Sequence, residues 1–457
     1  MEVMVNALSQ FIAETKYEEL PEPIILCTKE RIIDILSAAM AGSSLWEYRN
    51  EIIEASRDME CRGNSTLIGR EETVSFPTAA AINCAYAHSV ELDDGHKNAG
   101  IHAGAVVVPT VLSLAEKINA SGKNVILAVV IGYDVAYRFA RSMSPLLIEN
   151  GFHPSAACGT MGAAAAAASI LGLNQYQAAK ALSLSALFTS GIMEATHSGQ
   201  SSKGVMVGHA AFAGINAAIM AKNGFTAPDA PFNGTDGLFK ALSVGDVDVA
   251  NMLEGLGKNY EIKDTYVKLY PTCRHTHAPI EGTIALCLEH NIVADEIKRI
   301  DIGTYPIAYR LTGAAEAPHD IQQARFSAPY CVASALLGGT FGIIDLKGEN
   351  IRNDRRIKIS SLVHVYVDKE VTSEFPQKRG AKIRIELKNG TSFEKTVYTL
   401  KGSPELPIGY PELCEKFKNM AKGLISTETI MEICDKVWKF DSLTELGALM
   451  KLLKSSI

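Results

Sequence analysis

The sequence predicts a mainly α-helical protein, built from a large all-helical domain and a smaller α+β domain. Three observations predict it. Through the first half, apolar residues recur at helical spacing in one segment after another. Near Tyr266 the character changes to β-branched runs, two of which flank Asn389-Gly390, the strongest short-range hairpin signal. Beyond residue 400 helical spacing returns.

The helical segments fall at residues 26–41, 78–90, 109–118, 124–141, 156–171, 175–189 and 208–223. Gly and Pro mark many of the breaks between them. Alanine and glycine are dense in these segments, and small side chains let helices approach closely. Residues 297–305 and 363–367 are rich in β-formers, and residues 382–398 read as strand, turn, strand. Helical patterning also occurs at 280–290 and 328–337, which makes this region α+β. The tail, 412–454, is helical and is expected to return to the first domain. The expected domains are 1–266 completed by 401–457, and 267–400.

Bulk properties bound the function. Of 457 residues, 47% are hydrophobic and 21% charged, which is ample for a large core. The net charge is -7 and no Lys/Arg stripe is present, so no nucleic-acid partner is expected. Nine dispersed cysteines without C-x-x-C spacing read as free thiols in a reducing compartment. Residues 1–6 lack the basic and apolar regions of a signal peptide, so a cytoplasmic protein is expected. Residues 154–179 carry no charge, but alanine dominates and Ser155, Thr160 and Ser169 interrupt. A helix buried among helices is expected there, with no membrane partner.

Four segments could carry chemistry. The first is Glu91-Leu92-Asp93-Asp94-Gly95-His96 through His102, with three carboxylates and two imidazoles in twelve residues. General acid–base work needs such groups, tuned by neighbours; an acidic helix end followed by a surface loop would look the same. The second is Gly151-Phe152-His153-Pro154-Ser155 before the alanine-rich stretch. Ser155 could cap that helix, and His153 is either structural or set beside an anion at a helix N-terminus. The third is the polar loop 198–204, where Lys203 could hold a carboxylate or simply be solvated. It is neither a Walker loop nor S-x-x-K. The fourth runs from Lys268 through Pro271, Cys273, Arg274 and His275 to His277. Cys273, His275 and His277 alternate, so a strand would place them on one face. Zinc would need further ligands, and no other Cys/His pair has metal spacing, so no metal is expected. Packing in a half-buried strand explains them as well. If the segment is functional, Lys268 and Arg274 supply positive charge for carboxylates.

Taken in order, these four segments resemble the MmgE/PrpD family over nearly the whole chain. Ala324-Arg325-Phe326-Ser327 is similar to the family's A-R-x-S helix start. The resemblance implies a helical domain completed by the tail, an α+β lid domain, a homodimer, and neither metal nor organic cofactor. It implies a small polycarboxylate substrate and one of three reactions: dehydration of a 2-methylcitrate-like hydroxy acid first, epimerisation of a substituted succinate such as iminodisuccinate second, cis-aconitate-type decarboxylation third. A non-catalytic carboxylate-binding homodimer is the alternative of another class. The resemblance maps the loop acids to Glu91 and Asp94, with Asp93 an alternative because the loop is one residue longer. It maps the catalytic histidines to His102 and His153. It maps substrate contacts to Lys203, Lys268, Cys273, Arg274, His275 and Tyr309. Cys273 stands where the decarboxylase branch has histidine, as it does in the epimerase branch; His275 or His277 could substitute.

Overall fold

A computed structural model describes residues 2–96, 98–197, 201–313 and 317–454. It is 59% helix and 9% strand, which makes the protein mainly α with a smaller α+β part. It divides into two compact units: Met1–Val267 with Ile408–Ile457, and Lys268–Pro407.

The first unit is built from α1 (Val3–Glu14), α2 (Glu22–Leu45), α3 (Phe76–Ser89), α4 (Ala103–Ile118), α5 (Gly122–Met143), α6 (Pro154–Ile170), α7 (Gln175–Leu187) and α8 (Lys203–Lys222). At its centre is α6, in which every residue but Ser169 is buried. Proline at its first position and a run of alanines favour the helix locally. Burial all round then follows from packing against α4, α5, α7 and α8. The alanines and glycines bring axes close. A Cβ on Gly162 would lie 2.6 Å from the Ala136 Cβ of α5. By length and composition α8 could cross a membrane, but 61% of its apolar window is buried within the protein.

Two helix starts that bear on the candidate residues come well before those expected. The segment expected at 109–118 begins at Ala103, which leaves Pro109 inside α4. An interior proline lacks the N–H for the helical ladder and costs about 3 kcal/mol. The helix nevertheless starts early because its first donors are met by distant groups. The Gly104 amide donates to Asp94 Oδ1 at 3.1 Å, and the His102 amide to Ser155 Oγ at 3.0 Å. The segment expected at 208–223 begins at Lys203, so this lysine is the first residue of α8. Ser198, Gly199 and Gln200 of the preceding loop lie outside the described residues.

The short strands β1 (Gly95–His96) and β2 (Thr265–Tyr266) pair antiparallel in the first unit. The second unit holds a four-stranded sheet of β3 (Ile297–Thr304), β4 (Val363–Val367), β5 (Ala381–Leu387) and β6 (Ser392–Val397), in the order β4-β3-β5-β6. The β3–β4 pair is parallel and the others are antiparallel. The β5–β6 hairpin turns at Asn389-Gly390, where Gly390 takes φ +86° at no steric cost. Alternation along β5 puts Ala381, Ile383, Ile385 and Leu387 into a core with α9 (His277–His290) and α10 (Ala328–Gly338).

The tail helices α11 (Tyr410–Met420) and α12 (Thr427–Trp438) pack on α2 and on each other, within the first unit. Ile430, Ile433, Cys434 and Val437 form the buried stripe of α12. In α11 the buried stripe holds one cation, Lys416, among Leu413, Cys414 and Phe417. All nine cysteines are free thiols.

The crossing of α2 and α3 gives a test of the close packing. A Cβ on Gly42 would sit 2.0 Å from the Tyr86 carbonyl oxygen. On helix propensity alone, Gly42→Ala would gain about 1 kcal/mol. Overpacking against backbone opposes this, and a net loss of about 1–3 kcal/mol is expected. Urea denaturation followed by far-UV circular dichroism measures the sign.

Candidate active site

The acid-rich segment is a buried turn. After α3 ends, Glu91 takes the left-handed conformation with φ +55°, a position usually left to glycine or asparagine. The turn sends its three carboxylates to three different partners. Glu91 pairs with Lys203 at the first position of α8. A lysine is disfavoured at the positive end of a helix dipole, and the Glu91 carboxylate offsets this. Asp93 Oδ2 accepts from His88 Nδ1 at 2.6 Å, with both side chains fully buried. Asp94 Oδ2 accepts from the Tyr133 hydroxyl at 2.6 Å, while its Oδ1 takes the Gly104 amide. Beyond it, β1–β2 pairing holds Gly95 and His96 in register with Tyr266 and Thr265.

Histidines gather around Asp93. His102 Nδ1 is 2.6 Å from the Asp94 carbonyl and 3.5 Å from Asp93 Oδ2. A carbonyl only accepts, so Nδ1 carries the proton and Nε2 is the nitrogen that gains and loses one. The His88 ring lies edge-on to both His102 and His153, with centroids 5.4 and 5.6 Å away. His153 stands at the residue before α6 without a side-chain bond to the helix, and its amide donates to the Gly191 carbonyl at 3.1 Å. Its Nδ1 is buried with no hydrogen-bond partner among the described residues. Burial drives its pKa well below the usual histidine value, with His88 and Lys203 adding to the effect, so the ring is neutral. Ser155 does not cap α6; it accepts the His102 amide and ties the second motif to the first.

Of the residues singled out in this unit, Glu91, His102, His153 and Lys203 come together. Asp94 contributes its backbone carbonyl to His102, but its carboxylate turns to Tyr133 and the start of α4. The acid that meets the histidines is Asp93. Burial raises the Asp94 pKa to about 7, partly opposed by the Tyr133 hydrogen bond.

The other candidates belong to the second unit. Cys273, His275 and His277 do not alternate on a strand. Arg274–Thr276 is a 3-10 turn that runs straight into α9. Hydroxyl contacts impose the turn: Thr276 Oγ1 donates to the Cys273 carbonyl at 2.9 Å and meets Thr272 Oγ1 at 2.7 Å. His275 Nδ1 is 2.5 Å from the Tyr305 hydroxyl, and burial lowers its pKa to about 3. Arg274 lies 3.1 Å from His277 Nδ1. Lys268 is buried, whereas Tyr309 is 45% exposed on the helix Pro306–Thr312. The Cys273 amide donates to the Arg325 carbonyl at 3.1 Å, and Ser327 caps α10 by accepting from the Tyr330 amide. Among the described residues, no group of three His, Cys, Asp or Glu is arranged to hold a metal ion.

The family model of the MmgE/PrpD N-terminal domain matches residues 6–250, and that of the MmgE/PrpD C-terminal domain matches residues 270–439. The chain belongs to the MmgE/PrpD family. Its curated relatives include the cis-aconitate decarboxylase-like protein oryM of Aspergillus oryzae, 24% identical over 98% of this chain and 97% of its own length. Cis-aconitate decarboxylase of Aspergillus terreus is 24% identical, covering 96% of this chain and 94% of its own. The Mus musculus enzyme of that name is 25% identical, with 99% and 93% covered. These are enzymes of the lyase type.

In this MmgE/PrpD chain, sequence reading missed His88, Tyr133 and Lys416. His88 lies just three residues before Glu91, but it falls within a helical segment and was absorbed into it. Tyr133 and Lys416 carried no local signal.

The raised Asp94 pKa has a consequence for stability. Folded, this carboxyl keeps its proton to about pH 7; the ordinary aspartate value is 3.8. Its contribution to stability is therefore complete below about pH 4 and is lost as pH rises towards 7. Asparagine can still accept the Gly104 amide through Oδ1 and, by donating from Nδ2 to the Tyr133 hydroxyl oxygen, hold the second contact in reversed direction without ionising. Relative to wild type, Asp94→Asn should gain stability across that window, by up to about 4 kcal/mol. Urea denaturation of both proteins at pH 4.5 and 7.5 checks this, and parallel pH dependence would refute it.

Proposed function

We propose that this chain is a cofactor-independent lyase acting on a small di- or tricarboxylate, dehydrating a 2-methylcitrate-like hydroxy acid by acid–base catalysis. The observation that carries the reading is the cluster at Asp93. His102 and His153 both pack against the buried His88–Asp93 pair, and the Lys203 ammonium is near enough to help depress the His153 pKa.

Dehydration removes a proton from the carbon beside a carboxylate and a hydroxyl, protonated as it departs, from the next carbon. His153 is held neutral and suits the base. His102, with the Asp93 carboxylate 3.5 Å from Nδ1, suits the acid that delivers a proton from Nε2. Negative charge that develops next to the substrate carboxylate needs fixed cations. Lys203 is proposed for that task, with Lys268 and Arg274 as further carboxylate ligands and Cys273, His275 and Tyr309 as substrate contacts. Glu91 would orient Lys203. The proposal includes a cytoplasmic homodimer.

Two other reactions use the same parts. Two of the relatives named above are cis-aconitate decarboxylases and the third is decarboxylase-like, which favours loss of carbon dioxide. Cys273, where the resemblance places a histidine in decarboxylases, favours epimerisation of a substituted succinate, in which a proton returns on the opposite face.

Incubation with 2-methylcitrate, citrate, cis-aconitate and iminodisuccinate in deuterated water separates them. Loss of water is expected with the hydroxy acids. Release of carbon dioxide, or deuterium uptake without loss of a group, would replace dehydration by one of the other two. Silence with every compound would leave the non-catalytic binding protein as the better reading.

Replacing either histidine with alanine should lower kcat by about 10²–10⁴-fold with the circular dichroism spectrum unchanged. Full turnover in His102→Ala or His153→Ala would remove that residue from the mechanism. Lys203→Met should raise KM for the same substrate, measured by initial rates.

A further inference from the structure

The turn that aims the acids is held by a residue far away in sequence. Lys416 lies on α11 and is 6% exposed. Its ammonium is 2.5 Å from Asp34 Oδ1 on α2 and donates to the Leu92 carbonyl at 3.0 Å. Leu92 stands between Glu91, in its left-handed conformation and paired with Lys203, and Asp93, which accepts from His88. Two carboxylates that leave the chain for different partners therefore share one carbonyl as their pivot. A buried carbonyl needs a donor, and a charged donor gives the stronger bond.

We propose that Lys416 is a positioning residue for the Glu91–His102 loop. By fixing the Leu92 carbonyl it holds the Glu91 and Asp93 carboxylates in the arrangement that serves the histidines. For its effect on turnover, the proposal rests on the reading that this loop carries the chemistry.

The competing role for Lys416 is neutralisation of Asp34, whose carboxylate is fully buried. Paired substitutions separate the two. Lys416→Met alone strands a buried charge and would destabilise the fold under either role. Lys416→Met combined with Asp34→Asn removes both charges, and such replacements are often neutral for stability. The double variant still lacks the donor to Leu92. Asp34→Asn alone keeps that donor and serves as the reference.

The experiment measures the full-length chain and these three variants by thermal unfolding, by amide hydrogen exchange of peptides spanning residues 91–102, and by turnover. Asp34→Asn should exchange like wild type in that loop. The double variant should melt within a few degrees of wild type, and above Asp34→Asn, which leaves the buried Lys416 ammonium without its counter-charge. Its loop should exchange at least about tenfold faster, and its kcat should stay about 100-fold down, as expected when reacting groups are displaced by about an ångström. Loop exchange equal to that of Asp34→Asn, or turnover restored in the double variant, would show that Lys416 only neutralises Asp34. Loosening in Asp34→Asn as large as in the double variant would overturn the proposal as well. Exchange needs no substrate. If wild type turns over no compound in the panel, the functional reading fails on its own while exchange still decides the role of Lys416.

Discussion

Three carboxylates within four residues, all buried, set the terms for the first unit. A buried carboxyl group without hydrogen-bond partners is costly whether or not it is charged, so each of Glu91, Asp93 and Asp94 must find its own. The partners come from separate elements: Lys203 from α8, His88 from α3, Tyr133 from α5 and the Gly104 amide from α4. Each contact also resolves something awkward elsewhere. Lys203 is acceptable at a helix N-terminus because Glu91 faces it. The start of α4, well before Pro109, depends on Asp94 and Ser155 taking its first donors. The tail returns a cation, Lys416, to a stripe that is otherwise apolar.

The scaffold that makes this possible is the alanine- and glycine-rich packing of α5, α6 and α8. Short side chains bring helix backbones close and leave little freedom for the groups mounted on their ends. His153 and Lys203 stand at the N-terminal ends of two of these helices. Groups held on rigid elements need no reorganisation when charge develops during reaction. The same close packing removes water, and that is why His153 is driven neutral while Asp94 is driven towards its protonated form.

The second unit shows where local pattern suffices and where it does not. Alternating burial along β5 and the Asn389-Gly390 turn are short-range features, and the hairpin forms where those signals place it. The stretch from Cys273 to His277 alternates just as clearly, yet forms a 3-10 turn and a helix start. Alternation measures side-chain type, not hydrogen bonding. Thr272 and Thr276 hydroxyls, together with the Cys273–Arg325 backbone bond, decide the conformation there.

The sequence by itself determined the fold class, because helical periodicity, alanine content and an Asn-Gly turn are local properties that packing had no reason to overrule. It also determined the chemical vocabulary of the site, since the acids, imidazoles and lysine occur in recognisable order. Only the tertiary structure decided which groups meet. The choice between Asp93 and Asp94 turned on the direction of one residue in a turn whose shape depends on Glu91 adopting a left-handed conformation. His88 entered the site because the chain folds back on the end of its own helix. Lys416 reached the loop from more than 300 residues away. Contacts at such separation leave no periodic trace, so no local reading could have found them.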